Sequence, residues 1–252
     1  MASSLFCYYT DIKSFAATWS LTAGAADSAF PLVNLNSPRA DVVSKITSGT
    51  ATYRGTIATT AIQAVAFINT NLSGATVTVT NNNSMASQSL LIPAAQPDGL
   101  SLNGFLDLRL VTTAATQWNF AISGFGSNVA VGKILLIASV REMCHRWGVQ
   151  IKERKPFILH RTEYGIPLGF PLRVRYRELR PNLARESERA AYTALRRSGS
   201  GPHEPFWFVL DPAVNDPMYL WHQPDEWEHT RDAPLITKWS DVFEEVNPGL
   251  GL

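Results

Sequence analysis

The chain has 252 residues, 45% of them hydrophobic, and a formal net charge of +1. That length can bury a real core, as one large β domain or two ordinary ones, and the apolar content argues against a disordered chain. A charge this close to zero favours neither nucleic acid, nor an anionic membrane, nor an acidic substrate.

The elements follow from pattern, taken from the N-terminus. Leu5–Tyr9 is too short and too aromatic for the core of a secretory signal. Ile62–Ile68 (IQAVAFI) is a nearly continuous apolar run, the mark of a central strand covered on both faces. Thr76–Thr80 (TVTVT) alternates Val77 and Val79 with threonines, the period of a half-buried strand, and Asn81, Asn82 and Asn83 then form a turn. Phe105–Val111 (FLDLRLV) predicts another strand, as does Thr116–Ile122 with Trp118 and Phe120 on one face. Lys133–Val140 (KILLIASV) is a second central strand. It contains the longest apolar run, far short of the roughly 20 residues of a membrane span. Several short strands at regular spacing predict an antiparallel β-sandwich over residues 1–142.

Residues 143–252 differ. Of 43 charged residues, 11 lie in residues 1–140 and 32 in residues 141–252, with all five histidines and five of the seven tryptophans. Leu172–Leu179 predicts a strand with Arg173, Arg175 and Arg177 on one face. About 183–197 (LARESERAAYTALRR) predicts an α-helix, with Glu early, Arg late and Ser198-Gly199 as a stop. Strands are expected at Pro205–Leu210 and Met218–His222, and one long strand from Leu235 to Val246. The fold class is thus mainly β, a sandwich followed by a smaller β-rich region with one helix.

The chemistry of catalysis is missing. No P-loop, HExxH or GxSxG occurs, and Gly124-Phe-Gly126 lacks the spacing of a dinucleotide loop. Cys144-His145 with His160 lacks further ligands at zinc spacing. His222, Asp225, Glu226 and His229 could face a divalent ion, but such a loop is more often a solvated turn over packed tryptophans. Glu186 and Glu188 are two apart on the predicted helix and diverge. No catalytic residue, metal site or cofactor is predicted. Cys7 and Cys144, the only cysteines, read as reduced, buried thiols, which fits folding in a cytoplasm.

Phe30–Asn83 carries a resemblance. Pro31-Leu-Val-Asn-Leu-Asn36, Ala64–Ser73 (AVAFINTNLS) and Ala75–Val79, with Gly132–Ile137 later, resemble the carbohydrate-binding modules of bacteriophage tail proteins. Gly165–Pro171 and Phe206–Pro212 resemble the C-terminal parts of such proteins. The resemblance implies a discoidin-like (galactose-binding-like) jelly-roll sandwich. It also implies a virion component of a tail tip, baseplate or neck, made in the host cytoplasm. Such a component would assemble as a homo-oligomeric ring with other tail proteins. Arg173, Arg175, Arg177, Trp221 and Trp227 are the expected interface residues. The alternative function is binding of a host-surface glycan through Trp19, Arg39, Asp41, Asn69 and Asn71.

Overall fold

The computed structural model describes residues 3–37, 42–48, 50–72, 74–92, 102–109, 113–125, 128–144, 150–154, 157–161, 167–171, 176–180, 183–185, 190, 193–194, 206–209, 217–222, 229–233, 236–239 and 243–245. In chain order, the strands of the first part are β1 (Ser3–Cys7), β2 (Thr18–Ala23), β3 (Ser44–Ile46), β4 (Ala51–Thr60), β5 (Ala64–Thr70), β6 (Thr76–Asn81), β7 (Ser87–Leu91), β8 (Leu102–Asp107), β9 (Ala115–Ser123) and β10 (Val129–Ile137). They continue as β11 (Arg141–Cys144), β12 (Gln150–Arg154), β13 (Phe157–Arg161), β14 (Pro167–Pro171), β15 (Tyr176–Arg180), β16 (Leu183–Arg185), β17 (Phe206–Val209), β18 (Pro217–His222), β19 (His229–Ala233), β20 (Ile236–Trp239) and β21 (Phe243–Glu245). Strand pairing among the described residues is antiparallel throughout.

Two sheets form the sandwich, one of order β2-β4-β9-β6-β7 and one of order β3-β10-β5-β8. Alternation sets the inner face of the first. Ala51, Tyr53 and Ile57 of β4, Val77 and Val79 of β6, and Trp118, Phe120 and Ile122 of β9 all enter one core. Phe67 from the facing sheet meets Phe120 edge-on, with centroids 6.0 Å apart.

The second sheet is covered on both faces. Its outer side chains Ala64, Ala66, Ile68, Phe105, Leu135 and Ile137 pack with Leu5, Cys7, Trp207 and Val209 of β1 and β17. Phe105 and Trp207 stand 5.5 Å apart. This third layer explains why β5 and β10 are buried at every position and read as continuous apolar runs.

The third layer is a seven-stranded sheet of order β11-β1-β17-β18-β21-β15-β12. Its strand β1 lies between β11 and β17, pairing Leu5 with Glu142 and with Val209. The hydrogen-bonded sheets therefore do not divide at residue 142, where the charge density changes. Ion pairs fasten the same junction: Arg109 bonds Asp107 at 2.7 Å and Glu142 at 2.6 Å, and Arg141 pairs with Asp11 over the Tyr8 ring.

Three sequence expectations are corrected. Leu183–Arg185, expected to open the 183–197 helix, is strand β16 and pairs with Ile236–Lys238. Pairing to a partner strand outweighs the local preference of these good helix formers. Within the rest of that span Ala190, Thr193 and Ala194 are helical, and the remainder lies outside the described residues. The single strand expected over Leu235–Val246 is two strands, β20 and β21, which pair in different sheets. The strand expected over Phe105–Val111 ends at Asp107, whose carboxylate accepts the Arg109 N–H at 3.0 Å in a local turn.

The Pro31–Asn36 segment is a 3-10 turn over Leu32–Asn36, held by its own side chains. Leu35 is fully buried. Asn34 Nδ2 donates to the Val43 carbonyl at 2.7 Å and Asn36 Nδ2 to the Ala17 carbonyl at 3.0 Å. From below, the buried Lys133 of β10 donates to the carbonyls of Asn34 (2.9 Å), Val42 (3.2 Å) and Gly132 (2.9 Å).

Candidate functional site

The outer face of the five-stranded sheet is built by the positions that alternate with the core. These are Thr18 and Ser20 on β2, Thr52, Arg54 and Thr56 on β4, Gln117, Asn119 and Ala121 on β9, Thr76, Thr78 and Thr80 on β6, and Ser87, Ser89 and Leu91 on β7. None of them is buried. The five strands contain one charged residue, Arg54.

A chain of side-chain hydrogen bonds crosses this face. Arg54 Nε donates to Asn119 Oδ1 at 3.0 Å, Asn119 Nδ2 to Asn82 Oδ1 at 2.8 Å, and Asn82 Nδ2 to Gln117 Oε1 at 3.2 Å. The Asn82 N–H also donates to the Gln117 carbonyl at 3.2 Å, so the last link is fixed by backbone as well as side chain.

The turn that carries Asn82 is itself tied down. Asn81 Oδ1 accepts the N–H groups of Asn83 (2.8 Å) and Ser84 (3.3 Å), while Asn81 Nδ2 donates to the Thr113 carbonyl at 2.6 Å. Asn83 Nδ2 donates to the Ala114 carbonyl at 3.0 Å. Asn81 and Asn83 thus hold the turn, and Asn82 between them ends the array. Met85 closes the turn at φ 55, exposed at its tip.

A cleft of about 80 Å³ lies beside the turn, lined by Val79, Asn81, Ser87, Gln88, Leu108 and Trp118. That is well short of the about 300–1,000 Å³ of ordinary ligand pockets, so the open face is the better candidate.

Of the residues expected to bind glycan, the three described ones each have a place in the fold. Trp19 sits on the core side of β2, against Gly55 and 6.0 Å from Phe120, with its Nε1–H buried and unpartnered among the described residues. Asn69 is buried at the end of β5 at φ 53, a conformation that Asn tolerates better than most residues, and its N–H donates to Asn103 Oδ1 at 2.9 Å. Asn71 ties a neighbouring loop, donating to the Asn128 carbonyl and accepting the Ala130 N–H, both at 2.9 Å. Arg39 and Asp41 lie outside the described residues.

Of the expected interface residues, Arg177 lies in β15 opposite Glu153 and Trp221 in β18 opposite Glu244. Arg173, Arg175 and Trp227 lie outside the described residues, as do His145, Asp225 and Glu226. Among the described residues no group of three His, Cys, Asp or Glu side chains could hold a metal, and no helix is long and apolar enough to cross a membrane. Cys7 is fully buried, and burial pushes its thiol far above the ordinary cysteine range.

No protein-family model matches this chain, and no curated protein does. Solved structures do. A Streptococcus pneumoniae fucose binding module, SpX-3, matches with 10% identity over 53% of this chain and 98% of its own, at a TM-score of 0.39. The lectin domain of lectinolysin, complexed with Lewis B antigen, matches with 12% identity over 50% of this chain and 97% of its own, also at 0.39. CpGH89CBM32-6 produced by Clostridium perfringens matches with 10% identity over 49% of this chain and 94% of its own, at 0.36. None of these three is a phage tail protein, and a tail or baseplate role gains no support from them.

The residues that sequence reasoning passed over are Arg54, Asn82, Gln117 and Asn119. Their signal was present: Gln117 and Asn119 fall at the outward positions of Ala115–Ser123 (ATQWNFAIS), and Arg54 is the lone charge across five strands.

Proposed function

We propose that this protein is a non-catalytic carbohydrate-binding module whose ligand lies across the open face of the five-stranded sheet. What supports this is the fixed orientation of four planar polar side chains, Arg54, Asn119, Asn82 and Gln117, on a face otherwise made of hydroxyls, Ala121 and Leu91. Sugar hydroxyls are matched by donors and acceptors held in place before the ligand arrives, because ordering them on binding costs affinity. A guanidinium has five N–H donors and only the Nε–H is engaged by Asn119, so four remain for a ligand. Thr52, Thr56 and Thr80 add groups that both donate and accept.

A second reading is assembly, in which the same face packs against a neighbouring subunit of a tail or baseplate ring. The low charge of the face favours it, since few charges would have to be desolvated. One experiment separates the two. The full chain is screened on a glycan array, its hits titrated by NMR, and its mass followed by sedimentation velocity. Glycan binding by a monomer, weakened by Arg54→Ala, is the expected result. A chain that binds no glycan at high concentration and forms a closed oligomer refutes the carbohydrate reading in favour of assembly.

A further inference from the structure

We infer that the saccharide held on this face is an acidic one, with its carboxylate on the Arg54 guanidinium. This rests on the carbohydrate reading above and narrows its ligand class.

The first support is charge. Arg54 is the one charged residue in the five strands. Its neighbours across the sheet are Ser20 on β2 and Asn119 on β9, and its same-face neighbours along β4 are Thr52 and Thr56. Arg54 makes no ion pair among the described residues. The arginines at the junction differ, since Arg109 pairs with Asp107 and Glu142 and Arg141 pairs with Asp11. Their charge is neutralised inside the protein, whereas a neutral amide orients Arg54 and leaves its charge uncompensated.

The second support is geometry. The bond from Nε to Asn119 occupies one edge of the guanidinium plane, and Asn119 is in turn held by Asn82 and Gln117. The end-on pair, Nη1 and Nη2, is left to make two parallel bonds to the two oxygens of a carboxylate. A sugar ring attached to that carboxylate would lie over the flanking threonines and amides, whose groups suit hydroxyls.

The test uses the full chain and three sets of oligosaccharides: galacturonate and glucuronate oligomers, their methyl esters, and neutral galactose and glucose oligomers. Titration by NMR should show an acid bound about tenfold more tightly than its ester, the advantage of a half-exposed bidentate contact. That advantage should shrink as salt rises. Arg54→Gln should abolish the difference between acid and ester, Arg54→Lys should keep part of it, and Asn119→Ala should reduce it by freeing the guanidinium. Acid and ester bound alike, or a preference that survives Arg54→Gln, overturns the inference and leaves the carbohydrate reading standing. No binding of any saccharide, charged or neutral, overturns both. Loss of self-association in Arg54→Gln, without saccharide binding, assigns the guanidinium to a protein contact and also overturns both.

Discussion

Lys133→Met tests whether a buried ammonium holds the Leu32–Asn36 turn and Val42 to the sandwich. Lys133 is fully buried and donates to three main-chain carbonyls, those of Asn34, Val42 and Gly132, at 2.9–3.2 Å. Methionine keeps most of the stem's volume and removes the donors. Each hydrogen bond from a charged group contributes about 1.5–3 kcal/mol, and each buried acceptor left without a partner costs about 1–3 kcal/mol. The Asn34 carbonyl keeps a bond from the Ser37 N–H at 3.2 Å, so its loss is partial. Against this, removing the ammonium recovers a desolvation cost of several kcal/mol. The balance predicts a net destabilisation of about 2–4 kcal/mol for Lys133→Met. Urea denaturation measures it. Hydrogen exchange checks where the loss falls, with faster exchange of the Asn34 and Ser37 amides than in the parent. A Lys133→Met protein as stable as the parent, with unchanged exchange at those amides, would refute the reasoning. It would mean that burying the charge costs as much as its bonds return.

Gly55→Ala places a Cβ 3.0 Å from Trp19 Cζ3 and 3.1 Å from Cη2, so the indole on the edge strand must shift. A loss of about 1 kcal/mol is expected, with a changed tryptophan emission, and a stabilised variant would contradict the close packing. Cys7, examined in a Cys144→Ser background, should react with a thiol reagent only at the rate of unfolding, because the thiol is buried and its burial disfavours the thiolate. Fast labelling of the folded protein would be inconsistent with that burial. For Asp107, burial raises the carboxyl pKa, but the bonds from the Arg109 side chain and N–H outweigh this and hold it below the usual carboxylate range. Its stabilising contribution is therefore present above the unfolded pKa of about 4 and lost as pH falls through the lower folded value. The urea midpoints of parent and Asp107→Asn should differ at neutral pH and converge in acid, whereas a gap independent of pH would count against the ion pair.

The fold was legible where one face of a strand decides its sequence. Val77 and Val79 of β6 and Trp118 and Phe120 of β9 point into the core as alternation required. The unbroken apolar runs of β5 and β10 announced two-sided cover before the covering layer was known. Non-local pairing was what could not be read. Leu183–Arg185 carries good helix formers, and only its partner strand, more than fifty residues away, makes it a strand. The candidate site was hidden for a related reason. Asn69, Asn71 and Trp19 have the residue types of a sugar site, but tie turns or fill the core. Arg54, Asn119 and Asn82 are distant in sequence and become a group only when β4, β9 and the turn after β6 are adjacent. The Pro31–Asn36 motif, which carried much of the resemblance, spends its amides on the Val43 and Ala17 carbonyls. Its pattern reports how a turn is anchored.

Strand β1 has a consequence for how the chain is made. During synthesis it emerges well before either of its neighbours, β11 and β17, the second of which is nearly two hundred residues later. Until then the apolar Leu5 and Cys7 have no β17 partners, and the outer face of β5 and β10 lacks the Trp207 and Val209 part of its cover. The sandwich core can close on the ribosome while this flank stays open; β1 gains its second neighbour only when Phe206–Val209 is released, and the sheet completes only with Phe243–Glu245. The interval between closure of the core and completion of the sheet is the period of greatest exposure to aggregation, and mutations that slow elongation through the intervening region would lengthen it without changing a single native contact.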